Sequence, residues 1–198
     1  MSANAKSTSL VKEIIKLAGV LLIISAVTAA ALGYVNKITK EPIAEIAVRK
    51  TSEAMQNIVG EGYSFTPVTE EEFPGDITGA FEIRQNGEYA GLFVSVSPAG
   101  FGGKISTVVG IDAEGKVIGV EITKLSETPG LGSKATGSDF LGQYAGLSGP
   151  LKVVKNAKTA DNDIVAISSA TITSKAVTGG VQQALDFAGS YKGGGSNE

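Results

Sequence analysis

The chain has 198 residues, a net charge of −3, no His and no Cys. That length suits one domain plus an appendage, and the charge does not suggest nucleic acid, whose binders carry basic patches. The missing residue types exclude disulfides, thiolate metal sites, the usual zinc site and any His-dependent triad, so chemistry here needs carboxylates, Lys, Tyr, hydroxyls or a bound cofactor.

Leu17 to Val35, "LAGVLLIISAVTAAALGYV", is a run of 19 residues without a charge. As a helix it spans about 28 Å, close to the thickness of a bilayer core. Lys12 and Lys16 precede it, and Tyr34, Lys37 and Lys40 end it at the interface. A cleaved signal peptide, with Ala29-Ala30-Ala31 as its cleavage site, is the competing reading. The run exceeds the roughly 7–15 apolar residues of a signal segment, which favours an uncleaved anchor. Ser25, Ala29 and Gly33 fall four apart and form one small-residue stripe, over which another helix could pack closely.

Pro42 to Val59 carries Ile43, Ile46, Ala47, Ala54, Ile58 and Val59 at intermittent helical spacing. Thr39 is placed to cap this helix, Pro42 fits its first turn, and Gly60 and Gly62 end it. The period then changes to two. "AFEIRQ" and "YAGLFVSV" flank Asn86-Gly87, a strong hairpin signal, and "KISTVVGID" and "KVIGVEIT" flank Ala113-Glu114-Gly115. Four strands between about Ala80 and Thr123 predict an antiparallel meander. "SDFLGQYAG" reads as a short helix, "LKVV" as a strand, and Ser174 to Ala188 as a helix with Val177, Val181, Ala184, Leu185 and Ala188 on one face.

Two motifs do not belong to these periodic elements. "AISSATITS", Ala166 to Ser174, gathers Ser168, Ser169, Thr171, Thr173 and Ser174 just before the last helix. Such hydroxyls can cap the helix. A helix N-terminus is also an anion site, so a phosphate held there would lie among them. "SETPGLGSK", Ser126 to Lys134, places Pro129-Gly130 at the centre of a type II turn. Gly130 takes the turn position that needs positive φ, Gly132 allows a second close approach, and the stretch is either a tight surface loop or a ligand loop offering Glu127, Thr128, exposed backbone amides and an apolar Leu131 on which a flat ring could rest.

Together, "ETPGLG" and, some forty residues later, "SATITS" resemble the flavin-binding domain of the Rnf complex G subunit and of the related C subunit of the sodium-pumping NADH:quinone reductase. A "GFGGKI" element at Gly100 to Ile105 belongs to the same resemblance. In that family a flavin transferase esterifies FMN through its phosphate to a threonine. The acceptor pattern is Asp, two residues, Ser or Thr, usually Gly, then Ala-Thr. Ser168, Ala170 and Thr171 match it, which makes Thr171 the acceptor by resemblance. Ser169 stands where Gly is usual, and Val165 where Asp is expected, the nearest acid being Asp163.

The resemblance implies an α+β fold: a single N-terminal transmembrane helix, then an extracytoplasmic flavin-binding domain with a largely antiparallel sheet and flanking helices. The expected organisation is a cytoplasmic N-terminus over 1–16, a transmembrane helix over 17–35, a connecting amphipathic helix over 36–62, an FMN-binding domain over 63–188 and a flexible tail over 189–198. FMN-binding positions are Thr171, Ser168, Ser169, Ala170, Thr173, Ser174, Glu127, Thr128, Gly130, Leu131 and Gly132, with no catalytic or metal-ligating side chain. The implied function is electron transfer within an ion-translocating ferredoxin:NAD+ oxidoreductase at the cell membrane, with the other Rnf subunits and the flavin transferase as partners. The alternatives are the quinone reductase C subunit, a flavin-free anchored binding module and a secreted domain with a cleaved leader.

Overall fold

The structure is a computed structural model that describes residues 3–70 and 72–191, without the side chains of 3–11, 41, 43 and 44. The side chain of Ile43, expected on the apolar face of the connecting segment, and the tail beyond Tyr191 lie outside what is described. The chain forms two compact units that divide between Val48 and Arg49.

The first unit is helical. It contains most of α1, Ala3–Val59, which carries a stretch of mean hydropathy 2.3 with none of it buried. Leu17, Leu21, Leu22, Ile23, Val27 and Leu32 are all exposed, as are Ser25, Ala29 and Gly33. Water would penalise such a surface by roughly 25 cal/mol per Å² of apolar area, whereas lipid would not. The expected second start at Thr39 is absent. Pro42 lies inside α1, and the Thr39 hydroxyl donates back to the Val35 carbonyl at 2.8 Å instead of capping forward. Thr28 makes the same bond to Ile24, the usual way for a helix to satisfy a hydroxyl without water.

The second unit begins with the last turns of α1 and continues with a five-stranded antiparallel sheet in sequence order: β1 (Tyr63–Pro67), β2 (Ile77–Gln85), β3 (Glu88–Val96), β4 (Ser106–Asp112) and β5 (Val117–Lys124). The two expected hairpins form. At the first, Gln85 pairs with Glu88 while Asn86 and Gly87 take φ of 53° and 87°, both positive as a type I′ turn requires. At the second, the Lys116 amide donates to the Asp112 side chain at 2.8 Å and Gly115 takes φ of 80°. The edge strand β1 is an addition to the four strands expected. Its five residues end on Pro67, a residue that only an edge tolerates.

The sheet is covered on both faces. α3 (Thr171–Ser190) lays Val177, Val181, Ala184 and Leu185 over Leu92, Val94, Val96, Val109 and Val117. Gly180 makes the close approach possible, since a Cβ there would lie 3.0 Å from Val96 and 3.1 Å from Pro98. On the other face, Ala54 and Met55 from the end of α1 pack on Ile83, Phe93 and Val108. Ile58 sits in a notch made by Gly110 and Gly119, which pair directly across β4 and β5. A Cβ on either would approach Ile58 to 2.9 or 3.2 Å.

Between β5 and α3 the chain forms a 3₁₀ turn at Gly132–Thr136, the short helix α2 (Ser138–Leu141) with a 3₁₀ turn at Gly142–Tyr144, and the parallel pair β6 (Lys152–Val154) and β7 (Asp163–Val165). The Tyr144 hydroxyl and Thr178 share a buried hydrogen bond of 2.7 Å that ties this segment to α3. Burial holds the Tyr144 phenol well above its ordinary pKa.

Candidate functional site

Three segments that are distant in sequence meet at one end of the sheet. The first is a finger between β3 and β4. Its own bonds close it: Gly100 N–H to the Gly103 carbonyl at 2.7 Å, Ile105 N–H to the Pro98 carbonyl at 2.9 Å, and a bridge between Ala99 and Lys104. Phe101 stands at its tip, 71% exposed.

The second segment is the expected turn after β5. The Leu131 amide donates to the Thr128 carbonyl at 3.2 Å across Pro129-Gly130, and Gly130 takes φ of +77°, as a type II turn demands. The Ser133 hydroxyl accepts from the Gly130 amide at 2.8 Å. Leu131 is left 42% exposed.

The third segment is the hydroxyl cluster, and its residues divide sharply. Thr173 and Ser174 are buried. Ser174 Oγ accepts from the Ile167 amide and donates to the Ala170 carbonyl, both at 3.0 Å. Thr173 Oγ1 donates to Glu127 Oε2 at 2.9 Å. Ser168 and Ser169 are exposed and Thr171 is half-buried. The expected cap is corrected here. α3 begins at Thr171 rather than Ser174, and its N-cap is Ala170, with no side-chain cap bond. The first intrahelical bond runs from Ser174 N–H to the Ala170 carbonyl. The amides of Thr171, Ile172 and Thr173 therefore precede the ladder and face outward as donors.

These segments enclose a cleft of about 390 Å³ lined by Phe101, Glu127, Thr128, Leu131 and Gly132 on one side and Ser169, Ala170, Thr171, Ile172 and Thr173 on the other. Of the positions expected from sequence, Ser168, Ser174 and Gly130 do not line it. Ser174 and Gly130 instead shape the segments that do. Phe101 and Ile172 line it and were not expected there. Ile172, 55% exposed, falls off the buried stripe of α3, and that misplaced apolar residue was a signal in the sequence. Phe101, an aromatic between glycines, was another.

Two departures from the acceptor pattern now have structural content. Ser169 adopts φ of +65°, a conformation that glycine takes freely and serine does not. Asp163 does not stand in for the acid missing at 165. It is buried and accepts from the Thr159 hydroxyl at 2.6 Å and from the Thr159 and Ala160 amides at 2.8 and 3.0 Å. The Thr159 bonds hold its carboxyl below the usual carboxylate range. The Val165 backbone is occupied by the Gln143 amide, which donates to its carbonyl at 3.2 Å and accepts from its N–H at 2.8 Å.

Phe101, Leu131 and Ile172 are the exposed large apolar side chains of the second unit among the described residues, and all three border this cleft. Apolar walls, hydroxyls and helix-terminal amides together fit a flat aromatic ring carrying an anionic tail.

Fold and cleft define the class, an FMN-binding α+β domain that follows an apolar helix. The FMN-binding domain family matches residues 100–186. The G subunit of the Na(+)-translocating ferredoxin:NAD(+) oxidoreductase complex of Acetobacterium woodii is 36% identical over 189 residues, covering 88% of this chain and 91% of that protein. The G subunit of the ion-translocating oxidoreductase complex of Methanosarcina acetivorans is 32% identical over 188 residues, covering 92% and 98%. The chain belongs to the G-subunit family of the ion-translocating oxidoreductase (Rnf) complexes. A crystal structure of the C subunit of the Na(+)-translocating NADH-quinone reductase from Parabacteroides distasonis shares the fold. The TM-score is 0.56 at 18% identity, over 75% of this chain and 94% of that one.

Proposed function

We propose that this chain is the membrane-anchored, covalently flavinylated electron carrier of an ion-translocating ferredoxin:NAD+ oxidoreductase complex, with Thr171 as the acceptor hydroxyl. The observation that carries the attachment is the placement of Thr171. It is the first residue of α3, it lines the cleft, and its side chain is not committed to the core. Thr173 and Ser174, the neighbouring alternatives, are buried and bonded elsewhere.

Bound FMN supplies the redox chemistry, and the protein's part is placement and electrostatics. The amides of Thr171, Ile172 and Thr173 would hold the phosphate by hydrogen bonds and the helix dipole. Leu131, Phe101 and Ile172 would cover ring surface and exclude water. A covalent tether prevents loss of the carrier and keeps it at high effective concentration near its partners. Those partners are the other subunits of the complex and, during maturation, a flavin transferase. Residues 17–35 span the membrane after a cytoplasmic 1–16 and 36–62 connect, their last turns from Arg49 packing on the sheet, while the flavin domain on the extracytoplasmic side runs from 63 to the end of α3 at Ser190, two residues past the expected boundary at 188.

The test is the intact mass of the chain produced together with a flavin transferase. The expected mass is that of the chain plus one FMN less one water, all of it lost in Thr171→Ala. An unmodified mass in the parent protein would overturn covalent attachment. An amino terminus beginning near Leu32 would overturn the anchor.

A further inference from the structure

We propose that Glu127 is a positioning residue that clamps the Phe101 finger and the loop after β5 onto the first turn of α3, and that it works by reach and acceptor geometry rather than by charge. The inference rests on the cleft being the flavin site. One carboxylate touches all three segments. Its Oε1 accepts from the Phe101 amide at 2.8 Å and the Gly102 amide at 3.1 Å. Its Oε2 accepts from the Thr173 hydroxyl at 2.9 Å. Of the finger's remaining backbone bonds, Ser97 N–H to the Asp76 carbonyl at 2.8 Å holds its base, and those given above are internal to it. Glu127 therefore supplies the hydrogen bonds that tie its tip to the rest of the site among the described residues.

The glycines give an independent argument. A Cβ at Gly100 would collide with Glu127 Oε1 and come within 2.7 Å of Ile105. A Cβ at Gly132 would lie 2.7 Å from Glu127 Oε2 and 2.8 Å from both Glu127 Cβ and Thr173 Oγ1. At Gly102 it would strike the Ser126 carbonyl, next to Glu127 in the chain. Two glycines, one in the finger and one after the turn, thus leave room for this one side chain, and Gly102 leaves room for the backbone that carries it. No cation pairs with Glu127 among the described residues, so its three accepted bonds account for its place. The consequence reaches the proposed acceptor, because Thr173 lies two residues beyond Thr171 on the same turn. The clamp fixes the position of Phe101 relative to the Thr171 hydroxyl.

Glutamine keeps the reach. Its carbonyl oxygen can accept from both amides, and its NH2 group can donate to Thr173 Oγ1. Aspartate keeps the charge but is one methylene too short to serve the finger and α3 together. The experiment compares Glu127→Gln, Glu127→Asp and Glu127→Ala in the full chain, produced with a flavin transferase and purified in detergent. Readouts are covalent FMN fluorescence, visible circular dichroism of the flavin, and hydrogen exchange of the peptide covering 98–105. Exchange is measured as well on each chain produced without the transferase, which separates the clamp from flavin loading.

We expect Glu127→Gln to match the parent in all three readouts. Glu127→Asp and Glu127→Ala should change the dichroic bands and speed exchange in the finger by about tenfold, as loss of the two amide bonds at Phe101 and Gly102 predicts. Parent-like exchange and dichroism in Glu127→Ala would overturn the clamp. A Glu127→Gln variant as impaired as Glu127→Ala would overturn the claim that geometry rather than charge is at work. A parent protein without covalent FMN would count against the attachment reading instead, and the exchange data would still decide the clamp.

Discussion

The two walls of the cleft are built by opposite means. The turn after β5 is shaped by its backbone: Pro129 presets one dihedral, Gly130 supplies the positive φ, and Leu131 is left pointing outward. The segment leading into α3 is shaped by its side chains, with Ser174 and Thr173 bonded inward while Ser168 and Ser169 stay exposed and Thr171 half-buried. The contrast teaches that a cluster of one residue type need not share one role. Adjacent hydroxyls two residues apart serve construction or availability according to whether they face the core.

That contrast can be broken most directly at Thr171. Thr171→Ala should abolish covalent flavin entirely while changing stability by no more than about 0.5 kcal/mol, as for other substitutions away from the core. Fluorescence of a denatured gel band and a thermal melt report the two effects. A fluorescent band would mean that an inward hydroxyl had served as acceptor, and the division of roles would be wrong. Ser174→Ala should show the reverse pattern. It leaves the partly buried Ile167 amide without its acceptor, which costs about 1 kcal/mol in denaturant unfolding, with Thr171 still modified.

The other wall should respond in its own way. Gly132→Val forces a side chain against Glu127 and Thr173, with a cost of about 1–3 kcal/mol. It should retain covalent FMN but shift the flavin absorption spectrum and slow electron transfer through the complex. Leu131→Ala should shift the spectrum alone, since the side chain already faces solvent. Unchanged spectra in both would show that this wall does not touch the ring. The smallest effect belongs to Ser169→Gly, which relieves a left-handed serine. The relief of roughly 1–2 kcal/mol is partly offset by the greater freedom of glycine in the unfolded chain. A net gain of about 0.5 kcal/mol in chemical denaturation is expected.

Much of this architecture was legible because it depends on short-range rules. Asn86-Gly87 announced its turn, Pro129-Gly130 announced another, and the period-two segments from Ala80 to Thr123 became β2 to β5. The elements that escaped depend on partners. β1 has five residues and a proline, and it exists because β2 offers an open edge. β7 has three residues and needs β6 beside it. The start of α3 was placed late because hydroxyl-rich segments usually read as caps, whereas here Ser174 bonds to the residue before the helix and lies within its first turn. In the cleft, the two motifs fixed most of the lining. Phe101 was flagged only by its glycine neighbours, and Glu127's clamp depends on the finger folding against the turn, which no local pattern encodes.

The glycine pair at 110 and 119 has a practical consequence for anyone dividing this chain. Ile58 is a tenon, and the notch across β4 and β5 is its mortise. A soluble version cut just before Tyr63 would discard the tenon together with Ala54 and Met55. It would leave Phe93 and Val108, both buried in the whole protein, open to water on an unprotected sheet face. A cut before Arg49 keeps the joint and lies at the boundary where the second unit begins.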